Sequence, residues 1–116
     1  MKKNKIVITG GAGFVGTNLI NLLLKKTKYK IISIDNYSSG RRKNHIKNKR
    51  ISYMKADTRN ISQILKNAKS INSIFHFGEF ARIYQSFIKM NECINSNSIG
   101  TNAVFNYCLK NKIKLI

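Results

Sequence analysis

Apolar residues in this chain fall into short runs broken by glycines and by Lys/Asn-rich segments, and the runs alternate between a strand-like and a helix-like period. Ile6-Val7-Ile8 is a strand-type run that leads directly into Thr9-Gly10-Gly11-Ala12-Gly13-Phe14-Val15-Gly16. Behind it, Val15, Leu19, Leu22 and Leu23 recur at helical spacing, with Asn18, Asn21, Lys25 and Lys26 opposite, which predicts an amphipathic helix lying on a sheet. Lys30–Asp35 reads as a second strand whose near-continuous apolar character suits burial on both faces of a parallel sheet. Residues 51–57 predict a third strand. Asn60, followed three residues later by Gln63, resembles a capping box opening a helix over residues 61–69, with Ile61, Ile64, Leu65 and Ala68 on one face. Residues 73–78 predict a fourth strand. One long helix is expected from Ser86 onward, turning Ile94, Asn97, Ser98, Thr101, Val104, Phe105 and Cys108 inward, and residues 112–116 begin a fifth strand.

Strand, glycine turn and helix in direct succession suit a bound phosphate. Gly10 lets the chain leave the strand tightly, Gly13 leaves room for a diphosphate beside the backbone, and Gly16 lets the helix approach the strand. Free N–H groups and the helix dipole at the helix start both favour an anion. Glycine-rich turns also serve as plain connectors, but Asp35 closes the next strand about twenty residues on, where dinucleotide folds place the acid that accepts from the adenosine ribose hydroxyls. An ordinary turn-capping Asp is the alternative there. On the ribose, its charge would oppose a 2′-phosphate, since like charges about 4 Å apart cost several kcal/mol near a protein surface. NAD is therefore expected over NADP, although Arg41 and Arg42 argue the other way.

Successive β-α units with short connections imply right-handed crossovers and a parallel sheet. The expected fold class is α/β, a Rossmann-type doubly wound sheet in the order 3-2-1-4 with the start of strand 5 beside the fourth. At 116 residues the chain is expected to form one domain. A chain of this size hides about two-thirds of its unfolded surface, enough for a modest core.

Charge adds a rival reading and then weakens it. The net charge is +18, with only Asp35, Asp57, Glu79 and Glu92 acidic, which by itself suggests nucleic acid or an anionic membrane. The lysines are scattered through every segment, however, as solvated faces are. The densest run, residues 41–50, follows the turn chemistry of residues 36–40 and reads as a solvated loop or short helix more than as a polyanion contact. His45 within it has no acidic partner in sequence. His76, inside an apolar run, reads as a hydrogen-bonded core residue, not as a base or metal ligand. Glu79 and Arg82 follow that strand and would face a ligand or each other. Asn97 and Thr101 are polar for an inner helix face and read either as functional or as buried groups satisfied locally. Cys93 and Cys108 lack metal-ligand spacing and read as reduced thiols in or near the core. Residues 1–4 read as a fraying basic tail. No apolar run approaches a membrane span and no cleavage site follows the basic start, so a cytosolic protein is expected.

Taken together, these residues resemble the N-terminal part of the extended short-chain dehydrogenase/reductases, the NAD-dependent nucleotide-sugar epimerases and dehydratases, of which UDP-glucose 4-epimerase is a familiar member. The resemblance is carried by the TGxxGxxG turn at Thr9 to Gly16, by Asp35-Asn36 with Ser38-Ser39-Gly40, by Asp57-Thr58-Arg59, by His76-Phe77-Gly78, and by Asn97 with Gly100-Thr101-Asn102. It implies that Phe14 and Val15 lie by the diphosphate, beside Gly10, Gly13 and Gly16. It places Asp35, Asn36, Ser39 and Gly40 around the adenosine ribose, and Asp57 and Thr58 at the adenine. Phe77, Gly78 and Glu79 would follow the cofactor's middle, with Asn97 nearby. Glu79-Phe80-Ala81-Arg82 departs from the small residues usual in the family after His-Phe.

The family acts through a Ser or Thr after the fifth strand and a Tyr-x-x-x-Lys pair. Neither is present here, and Tyr84 and Tyr107 are not followed by Lys at that spacing. The expectation is a cofactor-binding portion without catalytic residues, metal or substrate domain, inactive alone and binding a sugar nucleotide only with the rest of the fold supplied. Self-association through the last strand is a further expectation. The alternatives are a small basic nucleic-acid-binding module and a non-catalytic remnant or interaction subunit.

Overall fold

The computed structural model of the protein describes residues 2–79 and 83–116, and of residues 83–85 the backbone alone. Five strands, β1 (Lys5–Thr9), β2 (Lys30–Asp35), β3 (Ile51–Lys55), β4 (Ile71–His76) and β5 (Lys114–Leu115), form one sheet in the order β3-β2-β1-β4-β5. Every neighbouring pair is parallel; Val7 lies opposite Ile32 on one side and Ile74 on the other. The expected α/β architecture and strand order are borne out.

Alternation along the strands feeds two cores. Val7, Ile34 and Ile74 pack with Ile61, Leu65, Val104, Tyr107 and Cys108, beneath α2 (Ile61–Ile64) and α5 (Thr101–Asn111). Ile6, Ile8, Ile31 and Ile51 pack with Ile20 and Leu24 of α1 (Phe14–Lys26) on the opposite face. A sheet covered on both sides needs apolar residues at both parities, which is why its strands lack a polar alternation.

Three details differ from the sequence pattern. On α1, Val15 and Leu22 are 54% and 52% exposed, while Gly16, Ile20 and Leu24 are buried. At Gly16, which has no side chain, the helix comes into backbone contact with the turn, and the i, i+4 row through Gly16 faces the sheet. The second helix is shorter than residues 61–69. It follows a 3-10 turn, Thr58–Asn60, capped by Asp57, whose Oδ1 accepts from the Arg59 N–H at 2.9 Å, and Asn60 makes no side-chain cap.

The long helix expected from Ser86 is interrupted at Lys89, after α3 (Ile83–Ile88); beyond it α4 (Met90–Ile94), one π-helical turn (Asn95–Gly100) and α5 run on as continuous helical backbone. A π turn takes an extra residue and shifts the facing register. Gly100, Val104, Tyr107 and Cys108 are therefore buried, whereas Ile94, Ser98 and Phe105 are exposed.

The basic connection between β2 and β3 contains a 3-10 turn, Arg42–Asn44, and is largely exposed, as the solvated-loop reading expects. Its last residue is structural: Arg50 Nη1 donates to Thr27 O at 2.8 Å and Tyr29 O at 3.1 Å, and Nη2 donates to Leu24 O, at the C-terminal end of α1. His45 stacks on Tyr53 at 3.7 Å between ring centroids and pairs through Nε2 with the Tyr37 hydroxyl at 2.6 Å.

Candidate functional site

The chain winds outward from β1 to β2 and β3, then crosses to β4 on the other side of β1. Reversal of winding opens a crevice above the carboxyl ends of the strands, the usual ligand position in open α/β sheets. The groove there is lined by Gly10, Gly13, Asp35, Asn36, Ser39, Gly40, Asp57, Thr58, Phe77, Gly78 and Glu79, all expected from sequence. Ile34, Ser38, Ala56 and Ser96 complete it. Phe14, 84% exposed, borders an adjoining cavity with Thr17, Asn18, Arg41 and Asn44. Of the other expected residues, Val15 points to solvent, Gly16 lies buried under the turn, and Asn97 lies off the groove lining, its amide 3.6 Å from Cys93 Sγ. Ser96 enters through the π turn, which no sequence periodicity announced. The expectation for Arg82 falls outside the described residues.

The glycines divide by role. Gly10 has φ +74°, and a Cβ there would lie 2.7 Å from Phe77 O. At Gly16 a Cβ would lie 2.3 Å from Gly10 O, so helix and turn are in backbone contact. Gly13 is different: it is extended (φ −84°, ψ −176°), and a Cβ there would meet only Gly10 O, at 3.4 Å. It opens α1 with no side-chain cap and no acidic residue in the first turn, which leaves the helix N–H groups available to an anion.

Asp35, 8% exposed, fixes the other side of the turn. Its Oδ2 accepts from the Ala12 N–H at 2.9 Å and its Oδ1 from the Tyr37 N–H at 2.8 Å. The turn-capping reading of this acid is thus real, and the same carboxylate also tethers the glycine turn. Asn36 Oδ1 accepts from the Ser38 N–H at 2.9 Å, shaping the loop that carries Ser39 and Gly40. Asp57 receives Arg59 Nη2 at 2.8 Å, and that hydrogen bond holds its carboxyl below the usual carboxylate range.

A hydrogen-bonded chain runs beneath the turn. The Gly78 N–H donates to Thr9 Oγ1 at 2.9 Å, Thr9 Oγ1 and His76 Nδ1 are 2.6 Å apart, His76 Nε2 and Thr101 Oγ1 2.9 Å, and Thr101 Oγ1 donates to Glu79 Oε1 at 3.3 Å. Thr101 has one hydrogen and gives it to Glu79, so His76 Nε2 carries the proton it shares with Thr101. Nδ1 of the neutral ring is then the acceptor of the Thr9 hydroxyl. Burial pushes the His76 pKa down, opposed by the Glu79 charge, which suits a neutral ring. His76 is the hydrogen-bonded residue expected of it.

Electrostatically the groove runs against the protein. Three of the four acids, Asp35, Asp57 and Glu79, line it, and no Lys or Arg is among its described lining residues although the chain carries 22 of them. Among the described residues there is no cluster of His, Cys, Asp and Glu able to hold a metal ion, and no helix is long and apolar enough to cross a membrane.

The pattern described as the NAD dependent epimerase/dehydratase family matches residues 6–116. The chain belongs to that family. It is 30% identical to the bifunctional protein GAL10 of Candida maltosa, over all of this chain and 80% of that one. A UDP-N-acetylglucosamine 4-epimerase from Methanobrevibacter ruminantium M1, solved in complex with UDP-N-acetylmuramic acid, superposes with a TM-score of 0.83 at 28% identity, over 99% of this chain and 37% of that one. WbmG of Bordetella bronchiseptica, solved in complex with NAD, shares the fold with a TM-score of 0.81 at 24% identity, over 96% of this chain and 36% of that one. The epimerase/dehydratase chain described here thus spans about a third of the length of these solved structures.

Proposed function

We propose that residues 1–116 are one domain portion that binds NAD, the dinucleotide-binding part of a protein that works on nucleotide sugars by epimerase- or dehydratase-type chemistry. The observation that carries this reading is the Asp35 carboxylate tied to Ala12 N–H beside an open Gly13 at the uncapped start of α1. These groups fit the cofactor: N–H donors for its diphosphate and a carboxylate for its adenosine ribose, with no Lys or Arg among the described residues lining the groove itself, although Arg41 lines the adjoining cavity. Gly10, Gly13 and Gly16 form the turn under the diphosphate, with Phe14 and Val15 beside it. Asp35, Asn36, Ser39 and Gly40 hold the adenosine ribose, and Asp57 and Thr58 flank the adenine. Phe77, Gly78 and Glu79 serve the remaining half. When bound, NAD supplies a hydride acceptor for a sugar hydroxyl carbon. No Tyr in these 116 residues is followed by Lys in a Tyr-x-x-x-Lys pair, so this stretch alone binds without turnover.

Calorimetric titration with NAD and NADP, repeated on Asp35→Asn, tests the reading. NAD should bind more tightly than NADP, and the variant should lose affinity for NAD while its preference against NADP narrows. Equal affinity of the protein for both cofactors, or an unchanged variant, refutes the role of Asp35; product from UDP-sugars and NAD refutes the inactivity. At the sheet edge, β5 has one strand neighbour and Ile116 is exposed, which favours self-association. A monodisperse monomer in concentrated size-exclusion runs would count against that.

A further inference from the structure

Glu79 stands apart from the other groove acids. Asp35 ends β2 and Asp57 follows β3, whereas Glu79 follows β4 across the switch point, on the half of the groove away from the adenosine end. Its carboxylate is exposed yet held. The backbone N–H donates to Phe77 O at 2.8 Å, and Oε1 terminates the one-way chain that runs from Gly78 N–H through Thr9, His76 and Thr101. In a protein of net charge +18 with four acids, the described lining residues include no Lys or Arg beside that carboxylate.

Resting on the dinucleotide reading above, we propose that Glu79 selects the redox state of the bound cofactor, favouring the oxidised nicotinamide over the reduced one. The oxidised ring carries a positive charge that reduction removes, and the two forms are otherwise nearly the same shape. A negative charge held beside the ring therefore separates them by Coulomb attraction, without a contact unique to either. The relay holds that charge on the nicotinamide side of the switch point, where a freely rotating glutamate would swing into solvent. The groove thus holds its cofactor in the hydride-accepting state.

The test is calorimetric titration of NAD, NADH and ADP-ribose, which lacks the ring, into the protein and into Glu79→Gln and Glu79→Lys. The wild-type protein should bind NAD more tightly than NADH. Glu79→Gln keeps an acceptor for Thr101 and should lower the NAD-over-NADH affinity ratio by roughly threefold or more, with Glu79→Lys lower still and ADP-ribose affinity little changed by Gln, as expected of a charge effect. A ratio that stays constant across the three proteins overturns the proposal. So does a parallel loss of all three ligands, which would make Glu79 merely structural. If the wild-type protein binds none of the three, the dinucleotide site itself is refuted, and the inference with it.

Discussion

Replacing Gly16 and Gly13 separately with alanine should divide one turn into an architectural and a ligand-facing half. At Gly16 the added Cβ would lie 2.3 Å from Gly10 O and 2.7 Å from Gly11 Cα, and neither backbone atom can swing aside as a side chain would. Alanine is worth about 1 kcal/mol over glycine in a helix interior. Overpacking a tight contact costs typically about 1–3 kcal/mol and occasionally more. The clash here is between backbone atoms, so the upper end applies and Gly16→Ala should lose about 2 kcal/mol net. Gly13 already has an extended backbone open to any residue, and its Cβ would meet one atom at 3.4 Å. Alanine gains roughly 0.4–1 kcal/mol there by restricting the unfolded chain. It loses a similar amount as a poorer N-cap, so Gly13→Ala should be isostable within about 0.5 kcal/mol. Its methyl nevertheless occupies the space through which a diphosphate would approach, so NAD affinity should fall by about tenfold or more, the equivalent of about 1.4 kcal/mol. Urea unfolding and NAD titration on both variants provide the readout. A Gly16→Ala protein as stable as wild type, or a Gly13→Ala protein that binds NAD normally, would refute the division.

Ser33 sits fully buried in β2 against Gly11, and its Oγ has no hydrogen-bond partner among the described residues. Since an unpaired buried hydroxyl costs about 1–3 kcal/mol, Ser33→Ala should raise stability by about 1 kcal/mol, and a lower urea midpoint than wild type would contradict that. Arg50→Ala removes three donors to carbonyls at the end of α1 and should cost about 2 kcal/mol, visible as a lower thermal midpoint; an unchanged midpoint would mean water replaces them without loss. His76 is neutral in the fold with its pKa pushed down by burial, so the unfolded chain binds the extra proton first as pH falls. The stability it contributes is complete above the unfolded value near about pH 6.5 and is lost as pH drops from there through the folded value. Urea midpoints from pH 8 to 5 should show that loss, and His76→Gln should flatten it; the same slope in the variant would assign the effect elsewhere.

Backbone demands are local, and the sequence by itself determined the features that depend on them. Ile6-Val7-Ile8 running into Thr9 to Gly16, and Asp35 closing Lys30–Asp35, could be read because a strand, a tight turn and a helix start each impose requirements on consecutive residues. The 3-2-1-4-5 order followed from the dinucleotide-binding pattern of turn and strand-end acid, together with right-handed crossovers. Orientation was a different matter. Val15 and Leu22 satisfied a helical period and still ended in solvent, because the contact at Gly16 chose which row faces the sheet. The long helix was interrupted at Lys89 and carried a π turn that brought Ser96, not Asn97, to the groove. Only the tertiary structure could join Thr9 to His76, 67 residues on, and His76 to Thr101, 25 further, ending at Glu79. Periodicity carries information over about one helical turn. The meeting of scattered acids in one groove of a basic protein is set by strand ends that the chain reaches only after crossing the sheet.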